Sequence, residues 1–81
     1  VLLSGVPDKA SQLQHIFGEC LRGERKRQGL SQQKLADIAK ISLTYEGELE
    51  RGQKMPSLDV IVRLANALKL TAAQLLEKSG V

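Results

Sequence analysis

Two capping serines set close together, Ser31 and Ser42, constrain this chain more than any other feature. Each hydroxyl can accept a hydrogen bond from an orphan backbone N–H in the first turn of a helix. After Ser31, Leu35, Ile38 and Ala39 recur at helical spacing and define one apolar face. Lys40-Ile41 leaves only a short connection before Ser42, and Gly52 offers a helix stop. The stretch Leu30 to Gly52 therefore reads as two short helices with a tight break between them. Helices joined so closely must cross steeply, which is the geometry of a helix-turn-helix; an αα-hairpin of structural use meets the same spacing.

The flanks extend this pattern. Ser4-Gly5-Val6-Pro7-Asp8 is turn chemistry, so residues 1–8 read as a flexible lead-in. A first helix is expected to start between Asp8 and Ser11 and to run to Gln28, with Leu13, Ile16, Phe17, Cys20 and Leu21 as its buried stripe. Arg22, Arg25, Lys26 and Arg27 crowd its C-terminal end, where the helix dipole favours cations, and Gly29 closes it. Beyond Gly52, Pro56 suits a helix entry and Ser57 caps a helix with Leu58, Ile61, Leu64, Ala65 and Leu68 on one face. Thr71 caps a last short helix that holds Leu75 and Leu76 and ends at Gly80. The β-branched run Val60-Ile61-Val62 lies inside this helical period. Residues 9–79 thus read as one all-α domain of five helices.

Eighty-one residues suffice for one domain with a small core. The single Cys20 excludes an internal disulfide framework and suits a reducing compartment, here the cytoplasm. No apolar run reaches the ~18 residues that cross a bilayer, and no signal peptide is apparent in a chain that opens on Val1. A net charge of +3 permits a polyanionic partner. His15 stands apart from any carboxylate pair or ligand-spaced cysteine and reads as a surface residue, while Cys20 reads as a small buried hydrophobe. Glu46, Glu48 and Glu50 lack the glycine placement of a calcium loop. No metal, cofactor or enzymatic activity is expected.

From Phe17 to Leu76 the chain resembles the Cro/C1-type, or XRE, helix-turn-helix regulators. The resemblance rests on Phe17-Gly18-Glu19-Cys20-Leu21-Arg22 with Arg25, Gly29-Leu30-Ser31-Gln32 with Leu35-Ala36, Leu49-Glu50-Arg51-Gly52, and Pro56-Ser57-Leu58 with Leu64-Ala65-Ala67-Leu68. It implies an all-α, five-helix lambda-repressor-like fold and a sequence-specific, repressor-like transcriptional regulator. The second motif helix, about residues 42–51, would enter the major groove of double-stranded DNA, and a homodimer would read two half-sites ~34 Å apart. Regulation would be steric, by occupying an operator and blocking or recruiting polymerase.

The resemblance also assigns residues. Ser31, Gln32, Lys34, Lys40, Gln53, Lys54 and Ser57 are implied to meet phosphates, with helix N-termini serving as anion sites. Arg25 and Glu50 match a structural ion pair, and Leu43, Thr44, Tyr45 and Glu48 match base-facing positions. The last helix, with exposed apolar residues of Val60 to Leu68, is the implied dimer seam.

Three departures stand out. The base-facing set holds neither the Arg nor the Gln that commonly gives bidentate readout, and residues 42–51 are locally acidic. Glu46 and Glu24 occupy places where the family usually has apolar residues, and unpaired buried carboxylates are costly. Gly47 and Gly23 lie inside helices, each at ~1 kcal/mol relative to Ala, so a distorted recognition helix is expected. A second class therefore stays open, a protein-interaction module on the same scaffold, antitoxin- or coactivator-like, with weak or no DNA binding. A DNA face would be flanked by Lys34, Lys40 and Lys54; a protein-binding face would group Leu43, Tyr45 and Ile38 as an exposed apolar patch.

Overall fold

Every helix of the computed structural model, which describes residues 8–80, starts on a side chain that caps it. Asp8 accepts from the Ser11 N–H ahead of α1 (Lys9–Arg27). Ser31 accepts from Lys34 N–H ahead of α2 (Gln32–Ala39), and Ser42 from Tyr45 N–H ahead of α3 (Leu43–Glu50). Ser57 does the same for Val60 at the head of α4 (Leu58–Ala67). Thr71 and Gln74 form a reciprocal capping box at the head of α5 (Ala72–Ser79). The described residues contain no strand. The expected lead-in lies outside the described residues apart from Asp8.

The chain breaks where the backbone turns left-handed. Gly29 and Gly52 hold φ of 71° and 73°, values that a glycine adopts without steric cost. Between α2 and α3 the left-handed residue is Lys40, whose N–H returns to Ala36 and Asp37 carbonyls and ends α2 abruptly. That turn sets α3 across α2.

Phe17 and Leu21 of α1, Leu35 and Ala39 of α2, Leu49 of α3, Leu64, Ala65 and Leu68 around α4, and Leu75 of α5 make one core. α1 packs on α3 and α5, α2 on α3 and α4, and α4 on α5. At Gly18 the backbone of α1 lies directly on the Leu49 and Glu50 carbonyls, an approach no larger residue permits.

Several expectations need correction. Leu13 and Ile16 of α1 are exposed, as are Ile38 and, at 71 %, Leu58. Helical spacing selects a face, but the bundle covers only part of it. Leu13 lines an open apolar groove with Met55, Pro56, Ile61 and Leu76, and Ile38 borders a depression with Lys40, Arg63 and Asn66. The recognition helix is regular, not distorted. α3 runs unbroken through Gly47, whose carbonyl accepts from Arg51 N–H at 3.1 Å, and Glu46 is packed fully inside. Packing against α1 and α2 outweighs the ~1 kcal/mol propensity deficit of one glycine. Glu24 stays half-buried and pairs with Arg27 at 2.6 Å, which holds its carboxyl below the usual range.

Candidate nucleic-acid interface

The helix-turn-helix divides the short α3 into two arcs. At 100° per residue, Tyr45, Glu46, Leu49 and Glu50 share one side, and Leu43, Thr44, Gly47 and Glu48 the other. Glu46, Leu49 and Glu50 are buried and Tyr45 packs against the core. Leu43 and Thr44 are exposed and Glu48 is half-buried. Three of the four residues that the resemblance implies to face bases thus share the outer arc, while Tyr45 turns inward.

Beneath this arc lies a polar clamp. Arg25 of α1 meets Glu50 with both edges of its fork, Nε to Oε2 at 2.6 Å and Nη2 to Oε1 at 3.0 Å. Its Nη1 donates to the Leu30 carbonyl at 2.8 Å, and Gln32 Nε2 donates to Glu50 Oε1 at 3.1 Å. One carboxylate so joins α1, α2 and α3. Burial alone would raise the Glu50 pKa, but hydrogen bonds led by Arg25 outweigh it and hold the carboxyl below its ordinary value. The same bond to Glu50 raises Arg25. Glu46 differs: neither of its carboxylate oxygens receives a hydrogen bond, and a proton on it can be donated to the adjacent Glu50 carboxylate. Burial first, then the adjacent Glu50, pushes its pKa up to about 8, with Arg25 opposing.

Around the outer arc, Lys34, Lys40, Gln53 and Lys54 are exposed. The Ser31, Ser42 and Ser57 hydroxyls are engaged in capping, which leaves the remaining first-turn N–H groups of α2, α3 and α4 to face outward. Gln32, implied to meet a phosphate, spends its amide nitrogen on Glu50.

Two residues escaped the sequence reading. Arg51 was read as part of the Leu49-Glu50-Arg51-Gly52 match and given no site role, yet its guanidinium folds back over Gly47: a Cβ added there would stand 2.9 Å from Nη1. The spacing of Gly47 and Arg51, one helical turn apart, was the available signal. His15 is exposed as expected, but the Nδ1 side of its ring lies against Gly52, just past the recognition helix. Cys20 is half-buried; burial raises its thiol, which donates to the Leu75 carbonyl.

A family model described as a helix-turn-helix domain matches residues 16–77, the span that contains the clamp and both motif helices. This chain belongs to the XRE-type helix-turn-helix family. Over 71 residues it is 35 % identical to the transcriptional regulator ClgR of Mycobacterium tuberculosis, covering 88 % of this chain and 63 % of that protein. The chain therefore spans under two thirds of the length of ClgR. The crystal structure of ClgR from Corynebacterium glutamicum superposes with a TM-score of 0.80 at 31 % identity, over 84 % of this chain and 72 % of that one. The restriction-modification controller protein C.AhdI of Aeromonas hydrophila gives 0.75 at 40 % identity, over 76 % of this chain and 94 % of its own.

Among the described residues no group of three His, Cys, Asp or Glu side chains could hold a metal ion. No described helix is long and apolar enough to cross a membrane.

Proposed function

We propose that this helix-turn-helix protein is a sequence-specific DNA-binding transcriptional regulator. α3 enters the major groove of double-stranded DNA with Leu43, Thr44 and Glu48 toward the bases. One observation carries the reading: the Arg25–Glu50–Gln32 clamp fixes α3 from behind, leaving its opposite arc uncovered. Exposed Lys34, Lys40 and Lys54 near the capped helix starts supply cations for the flanking phosphates, with Ser31, Gln32, Gln53 and Ser57 around them. The similarity to ClgR, a transcriptional regulator, and to C.AhdI, a restriction-modification controller protein, agrees with this role.

The working form is a homodimer. One eight-residue recognition helix touches few base pairs, and two-fold pairing doubles the contacts by reading two half-sites ~34 Å apart. The protein acts where bacterial DNA lies, in the cytoplasm.

Binding to mixed-sequence duplex at about 50 mM and about 200 mM salt tests the reading. Log K should fall by ~0.9 per phosphate contacted, and a Lys34→Ala/Lys54→Ala variant should lose both affinity and slope. A folded chain that binds no duplex at the lower salt would leave the interaction module, and its protein partner, as the better account. Sedimentation equilibrium checks the dimer.

A further inference from the structure

We propose that Arg51 reads a guanine in the major groove, from a place that Gly47 leaves open on the outer arc of α3. This rests on the DNA-binding reading above. Arg51 is the residue after the last turn of α3, and its side chain follows the helical lean toward the N-terminus to lie over Gly47, one turn back. A Cβ on Gly47 would meet Arg51 Nη1 at 2.9 Å and Cζ and Nη2 at 3.7 Å, so a side chain at 47 crowds the Nη1 end of the guanidinium, which must shift aside. Glycine in mid-helix lowers helix stability, and the space it vacates is filled by this one group. Gly47 is buried although it lies on the outer arc.

The guanidinium is held yet uncommitted. Nε donates to Gln53 Oε1 at 3.3 Å, which restrains the fork. Arg51 makes no ion pair among the described residues, although Glu48 lies on the same arc. Nη1 and Nη2 are left to a ligand. Two parallel N–H donors match the O6 and N7 acceptors that guanine presents side by side in the major groove. Leu43, Thr44 and Glu48 offer no such fork, so Arg51 supplies the bidentate reader that the helix otherwise lacks. A phosphate contact would need only a point charge, which a lysine supplies as well.

The test begins with a duplex selected from a random pool by the wild-type chain. Each guanine is then replaced in turn by 7-deazaguanine, which lacks the N7 acceptor. Wild type should lose about tenfold in affinity at one guanine per half-site. Arg51→Lys should be indifferent to that replacement. Gly47→Ala keeps every charge and removes a helical glycine; it should fold at least as stably, yet lose the guanine preference. Equal weakening of Arg51→Lys on selected and mixed duplexes would reassign Arg51 to the backbone and overturn the proposal. So would full guanine preference in Gly47→Ala, or a selected duplex with no sensitive guanine. A wild-type chain that binds no duplex overturns the DNA reading itself.

Discussion

Glu46 and Glu50 stand one turn apart on the buried arc of α3, and only Glu50 has a cation. Arg25 grips Glu50 through two hydrogen bonds, while the fully buried Glu46 oxygens receive none and have the Glu50 carboxylate beside them, to which a protonated Glu46 can donate. Ionising both would place two negative charges near a single guanidinium in a poorly solvated site. The cheaper state keeps a proton on Glu46.

Stability should therefore decline as pH rises across neutrality. In the unfolded chain Glu46 ionises near its ordinary value of 4.5, whereas the folded protein retains the proton to about 8. Between those values the folded state binds more protons, so stability is fully present below pH 4.5 and falls toward pH 8, by about 1.4 kcal/mol per unit. Glu50 has the opposite sign; its depressed pKa adds stability that is lost as pH falls below 4.5. Urea melts from pH 4 to 9 should show a maximum in mildly acid solution. Glu46→Gln should flatten the descent, and Glu46→Leu, which has no proton to lose, should do the same. An unchanged descent in Glu46→Gln would show that another group carries it.

The helix ends and turns were legible in the sequence because each depends on one local side chain or glycine. Ser31, Ser42, Ser57 and Thr71 cap the helices expected of them, and Gly29 and Gly52 end helices with positive φ. Burial was less legible. Leu13, Ile38 and Leu58 lie on the right helical faces, yet coverage depends on where the neighbouring helix ends, which periodicity does not encode. The regularity of α3 was misjudged for a related reason. Local propensity at Gly47 is set against packing from α1 and α2, and the packing prevails. The family resemblance, not spacing, named Leu43, Thr44, Tyr45 and Glu48, and helical geometry puts all but Tyr45 on one arc. The return of Arg51 over Gly47 had only their i, i+4 spacing as a signal, which does not fix where a long side chain rests.

Removing either partner of the clamp should be severe. Arg25→Ala strands Glu50 and deprives the Leu30 carbonyl of a donor; Glu50→Ala strands Arg25 and Gln32. Each should cost about 3–5 kcal/mol, as expected when one buried charge loses its partner. The double variant should cost less than the sum of the two. Denaturant melts of the four proteins give the coupling energy, and additive losses would show that the pair does not act as a unit.

Two glycines of α1 should respond to alanine with opposite signs. Gly23 is exposed with no atom within 4 Å of an added Cβ, so Gly23→Ala should stabilise by about 0.5–1 kcal/mol through helix propensity. At Gly18 the added carbon meets the Leu49 carbonyl oxygen and, at 2.7 Å, that of Glu50. Backbone cannot step aside as a side chain can, so Gly18→Ala should lose about 1–3 kcal/mol and push α3 away from α1. Thermal melts separate the two outcomes, and DNA affinity should fall for Gly18→Ala alone.

Glu48 presents the final test, because its charge and its hydrogen-bonding capacity pull DNA binding in different directions. In the proposed DNA complex its carboxylate would face phosphates that repel it, and the repulsion would weaken as salt shortens the Debye length. It can also accept a hydrogen bond from cytosine N4, a contact worth about 1–3 kcal/mol of discrimination. Glu48→Gln removes the charge and keeps an acceptor, so it should tighten binding to mixed-sequence duplex, most visibly at low salt. Glu48→Ala removes both and should tighten mixed-sequence binding while narrowing the gap between selected and mixed duplexes. Titrations of both duplexes at two salt concentrations resolve these effects. If neither variant changes any of the four affinities, Glu48 does not face the groove.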